Sequence, residues 1–196
     1  MELFEFLFGL FVFLIGFLIA AFLLSRTLKI YPEYERGVRF RLGRFNKVIG
    51  PGISYAIPYI DSAITVDTRS KAFELPELKV MTKEKATVFV DLIVRYSIAS
   101  PELSVTKASN AENSLKAVAE TAVRNGVGEL AFSDLVGKRE FINARLRETV
   151  ASQAEQWGLA VDGVELTEIT PSERALELIN KSLRKGKKRQ EGERRD

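Results

Sequence analysis

The sequence predicts an α+β fold with an antiparallel sheet, preceded by one N-terminal transmembrane helix, and three features of its patterning carry that prediction. The chain opens on a long apolar segment free of charge. The residues behind it alternate apolar and polar with the period of strands, and the second half turns to helical spacing with one more strand near the end. Strands first, then helix, helix, strand and helix, depart from the alternating βαβ order and argue for an antiparallel sheet with segregated helices.

The opening segment runs from Phe6 to Leu24, bounded by Glu5 and Arg26. About 19 residues at ~1.5 Å each make a helix of ~28 Å, close to the ~30 Å hydrocarbon thickness of a bilayer. Phe6, Phe8, Phe11, Phe13 and Phe17 fall on all sides of it and no face is polar, which suits lipid better than a protein core. A signal peptide is excluded by Glu2 and Glu5, where positive charge belongs, and by the lack of a small-residue cleavage site before Arg26. A re-entrant hairpin lacks a proline at which to fold back, with only Gly9 and Gly16 in the run. Residues 1–27 are therefore expected to form a membrane anchor, with a single pass favoured over a re-entrant hairpin. The flanks orient it: two acids precede the run, whereas Arg26, Lys29, Arg36, Arg39, Arg41, Arg44 and Lys47 follow it. The positive-inside rule then puts the N-terminus outside and the following domain, residues 28–170, in the cytoplasm of a cell membrane.

In that domain Val38, Phe40 and Leu42 alternate with charged residues as a half-buried strand, and Gly50-Pro51-Gly52 suits a type II turn. Ile64 and Val66 mark a second strand; Phe73 and Leu75 mark a third that Pro76 breaks. From Ala86 to Ile98 the even positions Val88, Val90, Leu92, Val94 and Tyr96 form one apolar face. Ser109-Asn110-Ala111-Glu112 reads as a capping box with Ser109 as the cap, opening a helix with Leu115, Val118 and Ala122 that Gly126 and Gly128 end. A longer helix is expected from Gly137 to Trp157, with Ile142, Leu146, Thr149, Gln153 and Trp157 on its stripe and Gly158 as its stop. The strand Leu159 to Ile169 changes its apolar phase midway, which a bulge at Gly163 would permit. Thr170-Pro171-Ser172-Glu173 reads as a second capping box with Pro171 at the first helical position. It opens a short helix in residues 171–196 whose apolar stripe, Leu176, Ile179 and Leu183, is a candidate oligomer contact.

Composition narrows the chemistry. The 196 residues contain no cysteine and no histidine, so thiol chemistry, a Ser-His-Asp triad and an ordinary zinc site are excluded. The Ser-x-x-Lys spacing occurs at Ser104–Lys107 and Ser182–Lys185, without the companion motifs that would make either a nucleophile with its base. No phosphate-binding glycine motif occurs, no cofactor is implied, and Asp61, Asp67 and Asp91 read as turn-capping or solvated acids. The formal charge of +3 is carried by the tail from Lys181 to Asp196. That tail has no aromatic or motif support for nucleic-acid binding, and it reads either as a solvated end or as a contact for anionic headgroups. A second candidate membrane contact is the cluster Tyr55, Ile57, Tyr59 and Ile60, with Arg26 and Lys29 beside the anchor. The same cluster also reads as sheet-edge core.

The run Glu33-Tyr34-Glu35-Arg36-Gly37-Val38 followed by Phe40-Arg41-Leu42-Gly43-Arg44 resembles the opening of the stomatin/prohibitin/flotillin superfamily, the SPFH or band 7 domain. Gly50-Pro51-Gly52-Ile53, Ile57-Pro58, Ile60-Asp61, Val66-Asp67-Thr68-Arg69, Met81-Thr82-Lys83, Val90-Asp91 and Val94-Arg95-Tyr96 continue the likeness in order. Thr121-Ala122-Val123-Arg124, Arg139-Glu140, Trp157-Gly158-Leu159 and Val164-Glu165-Leu166 extend it, so that Tyr31 to Ile169 is similar to the stomatin-like (slipin) branch. The resemblance implies a non-enzymatic, membrane-attached scaffold that forms homo-oligomers, organises membrane lipids and modulates neighbouring proteins. For prokaryotic members it also implies a membrane serine protease, or the protease's soluble-domain partner, as an associate, which leaves a protease-regulating adaptor as the alternative function. Where the family usually has a long coiled coil, the residues after Thr170 read as a short helix and a basic tail.

Overall fold

The computed structural model of the protein describes residues 2–25, 27–173 and 175–177, and omits the side chains of residues 2–3 and 20–25. The chain divides into two compact units between Thr68 and Arg69.

The first unit begins with helix α1, Glu2–Ser25. Every residue from Phe4 to Ile19 on it is exposed, in keeping with a sequence that has no polar side to turn outward. Among the residues described to the side chain, no helix is long and apolar enough to cross a membrane, the side chains of α1 being described only as far as Ile19. Strand β1, Leu28–Tyr31, pairs antiparallel with β4, Gly52–Tyr55, in a two-stranded ribbon. A second sheet has the order β3-β2-β5, built from β2, Glu35–Arg41, β3, Arg44–Ile49, and β5, Asp61–Asp67, all antiparallel. The tip joining β2 to β3 is Leu42-Gly43, with φ of 49° and 78°. Two positive φ values suit a tight hairpin turn. Leu42 therefore leaves the apolar row expected of it with Val38 and Phe40, and stands exposed at the tip. Gly52 has the positive φ, 104°, that the third position of a type II turn requires. Close approach explains Gly37: a Cβ there would lie 2.5 Å from the ring of buried Tyr31.

The second unit is a sheet of order β6-β7-β8 with helices on one face. Its strands are β6, Lys71–Met81, β7, Thr87–Ile98, and β8, Leu159–Pro171. The predicted face of β7 is the centre of the core: Val88, Val90, Leu92, Val94 and Tyr96 are all buried. Helix α3, Ala111–Gly128, brings Leu115, Ala119, Val123 and Val127 against it, and helix α5, Arg139–Ala154, brings Ile142, Leu146, Val150 and Ala154. Of two short helices, α4, Phe132–Gly137, adds buried Leu135 to this core, whereas α2, Pro101–Thr106, buries no residue.

Several boundaries differ from the sequence expectation. Pro76 does not end a strand: β6 passes through it in a bulge, and the N–H of Glu77 (φ 52°) donates to Asp91 Oδ1 at 2.8 Å. The cap of α3 is Asn110, whose side chain accepts from the N–H of Asn113, while Glu112 turns away to Tyr96 and Lys116. Gly126 lies inside α3 rather than at its end. The helix expected from Gly137 is interrupted at Lys138 (φ −120°, ψ 33°), and its buried stripe steps from Leu146 to Val150 and Ala154, leaving Thr149 and Gln153 exposed. Gly158 does stop it, at φ 69°. In β8 the register shifts between Val161 and Gly163, so the bulge sits where the apolar phase changes. Pro171 closes β8, and Ser172 rather than Thr170 caps the turn that follows, its Oγ accepting from Ala175 N–H.

Candidate functional site

The residues singled out from the sequence gather mainly in the first unit. On α1, Phe6, Phe8, Phe11, Phe13 and Phe17 are all exposed; Leu24 belongs to the helix but its side chain lies outside the described set. Arg26 lies outside the described residues. Lys29, on β1, donates to Thr65 Oγ1 at 3.0 Å and sits over the Tyr31 ring.

The ribbon register explains Tyr55. Leu28 stands opposite Tyr55 and Ile30 opposite Ile53, and because side chains alternate across a strand these four share one face. All four are exposed, Ile30 at 72% and Ile53 at 76%. The opposite face carries Lys29, Tyr31 and Ser54, and Tyr31 on it is buried. The ribbon thus turns an apolar side outward, while on its other side Tyr31 is buried, Ser54 half-buried and Lys29 exposed.

Ile57, Tyr59 and Ile60 form the loop between β4 and β5. Its backbone is closed by Ile57 O, which accepts from Ile60 and Asp61 N–H, and by Asp61 Oδ2, which accepts from Ile57 N–H. Tyr59 sits at its tip with φ 66° and is 100% exposed. Leu42 N–H donates to Ile60 O at 2.9 Å, so this loop and the β2–β3 tip are joined. Two large side chains, Leu42 and Tyr59, thus occupy left-handed positions that disfavour any residue with a Cβ by ~1–2 kcal/mol. Neither gains burial within the unit in return.

Asp61 organises this end. Arg41 holds its carboxylate through Nε and Nη2 at 2.8 and 3.1 Å, and the Asp61 side chain is fully enclosed. The hydrogen bond from Arg41, with that from Ile57 N–H, lowers the Asp61 pKa to about 2. Arg41 is correspondingly raised by the same bond. Asp61 and Asp91 therefore cap a turn and a bulge, as their scattered placement suggested.

Elsewhere the residues weighed for chemistry are placed as follows. Ser104 Oγ donates to Pro101 O within α2, so its hydroxyl is spent on the helix, and the other Ser-x-x-Lys pair lies outside the described residues. Among the described residues no group of three or more acidic side chains has a metal-holding arrangement. Leu176 is exposed beside buried Ala175, whereas Ile179 and Leu183 lie outside the described residues. Thr149 and Gln153 line a groove of about 230 Å³ between α3 and α5, with Phe141 and the Arg145–Glu129 pair.

Sequence reading missed Leu28, Ile30, Ile53 and Leu42. The alternate spacing of 28/30 and 53/55 is present, but each strand holds four residues, too few for a period to stand out.

The sequence matches the SPFH domain / Band 7 family over residues 29–195. An uncharacterized protein of Methanocaldococcus jannaschii is 33% identical over 156 residues, 80% of this chain and 78% of its own length. Stomatin of Mus musculus is 35% identical over 144 residues, 72% of this chain and 51% of its own. Stomatin-2 of Caenorhabditis elegans is 35% identical over 144 residues, 72% and 38% respectively, so the chain spans about half of one stomatin and less of the other. The match covers both units and includes the motif run from Glu33 to Asp67 on which the resemblance was read: the chain belongs to the SPFH domain / Band 7 family.

Proposed function

We propose that this protein is a membrane-anchored scaffold of the stomatin kind with no catalysis of its own. In this reading α1 crosses the bilayer with the N-terminus outside, the rest of the chain lies on the cytoplasmic side, and copies associate laterally around local lipid. One observation carries the reading: the exposed apolar side chains of α1, Phe4 to Ile19, belong to the same unit as a ribbon whose face Leu28, Ile30, Ile53 and Tyr55 is also apolar and exposed. The helix ends at Ser25 and β1 starts at Leu28. Three steps of extended chain reach at most ~10 Å. A spanning α1 therefore holds Leu28, Ile30, Ile53 and Tyr55 within reach of the headgroups, where apolar and aromatic side chains leave water at a gain. The apolar tips at Leu42 and Tyr59, with Ile57 and Ile60, fit the same interface.

Lateral association is supported by the family membership and by confinement to a plane, which raises effective concentration. Leu176, Ile179 and Leu183 remain the candidate contact. A protease-regulating role, through a membrane serine protease or its soluble-domain partner, rests on the resemblance alone, and no residue of this chain favours it.

The test is particle mass of the full chain in nanodiscs and in several mild detergents. Several copies per particle are expected. A uniform monomer at high protein concentration in all of them contradicts the scaffold.

A further inference from the structure

Arg39 is an anomaly in the first unit. It is 3% exposed, yet its contacts are with neutral groups: Nη2 donates to Ser54 Oγ at 2.8 Å and to Tyr55 O at 2.7 Å, and the Tyr55 ring lies 5.6 Å from its guanidinium carbon. Its buried Nε has no hydrogen-bond partner. The near carboxylate, Asp61, is engaged by Arg41 through both oxygens. Directly across the ladder from Arg39 stands another cation, Lys47 on β3, and opposite Ser54 stands a third, Lys29 on β1. A buried charge is normally paired, and like charges in register repel. An enclosed guanidinium with an idle donor and two lysines beside it is the reverse of that rule.

We propose that Arg39, flanked by Lys29 and Lys47, is the seat of a phosphate group. Ser54 Oγ and Tyr55 O take both N–H bonds of Nη2, which leaves the idle Nε–H as the donor for a phosphate oxygen, and the lysines supply point charges around it. Ser54 Oγ and Tyr55 O hold the guanidinium in place. Tyr55, which covers the guanidinium while itself mostly exposed, is the cover whose rotation admits the ligand. The phosphate comes either from a phospholipid headgroup or from solution. The lipid source rests on the membrane reading above, whereas phosphate binding itself does not.

The experiment is thermal melting of the full chain in uncharged detergent at constant ionic strength. Inorganic phosphate, a short-chain phosphatidic acid and an uncharged diacylglycerol are titrated in turn. Phosphate and phosphatidic acid raise the melting temperature if any phosphate serves; phosphatidic acid alone does so if the headgroup is the source; diacylglycerol has no effect. Arg39→Met raises the half-saturating concentration about tenfold or more, as loss of a charge-assisted bond requires. Arg39→Lys recovers part of the response, and Tyr55→Ala, which removes the cover, lowers the half-saturating concentration. No response to either phosphate compound overturns the proposal, and so does an Arg39→Met response equal to wild type. Should Arg39→Met fail to fold, an unchanged half-saturation in Tyr55→Ala overturns it equally. A response to phosphate in detergent stands even if the ribbon proves to lie away from the bilayer.

Discussion

Asp61 ties a loop of apolar residues to a strand through two oxygens and one backbone N–H, and its protonation removes the ion pair and weakens the bonds. Its pKa lies near 2 in the folded chain, below the unfolded value of ~3.9, so its contribution is complete above pH ~4 and is lost as pH falls toward 2. Asp61→Asn should remove that acid-dependent loss from the unfolding curve of the first unit while lowering its stability at pH 7. Denaturant melts between pH 2 and 7 check this. Gly158 shows the same economy in backbone form. Its carbonyl accepts from both Ala99 and Ser100 N–H, and a Cβ at its φ of 69° would lie 2.4 Å from Ser100 O. Gly158→Ala should cost about 1–2 kcal/mol from conformation alone, with the clash in addition, read as a drop in melting temperature. Both roles were partly legible in the sequence: Gly158 as a helix stop, Asp61 as a turn acid. The Arg41 pairing was not, because nothing local ties residue 41 to residue 61.

The elements read most plainly were those with long periods. Every even position of β7 is apolar, which is why its core face was found despite Phe89 and Ile93 on the other side, whereas a single turn of α5 decided the stripe wrongly at Thr149 against Val150. Pro76 misled for a related reason: a bulge absorbs a proline that a regular strand would not, and bulges leave no local pattern. The outer edge of β8 shows what sequence alone conceals. Arg139, Asn143 and Arg147 recur every four residues on α5. Asn143 accepts from Leu166 N–H, Arg139 donates to Leu166 O and Thr167 O, and Arg147 Nε donates to Val161 O. A helix side-chain row thus satisfies the backbone groups that an edge strand would otherwise offer to another chain. Asn143→Leu leaves the Leu166 N–H unpaired at a cost of about 1–3 kcal/mol and opens the edge. Lower stability together with concentration-dependent strand-rich association, followed by infrared spectroscopy and light scattering, is the expected outcome.

For the whole molecule the family was legible because its motifs occur in order over most of the chain, and order is independent of how each strand pairs. The apolar helix was legible from composition. The ribbon was not, since Leu28 meets Tyr55 only after the chain has run through two other strands. What unites the residue and element scales is the apolar surface that the ribbon and the loop tips of the first unit turn outward. The absence of cysteine makes that surface directly measurable. Single cysteines at Ile53, Tyr59 and, in the second unit, the exposed Ala117 can each carry an environment-sensitive label in the full chain in liposomes. Nitroxide-bearing lipids then report depth. The account predicts strong quenching and a blue-shifted emission at positions 53 and 59, with neither at 117. Quenching at 53 and 59 no greater than at 117 would contradict it.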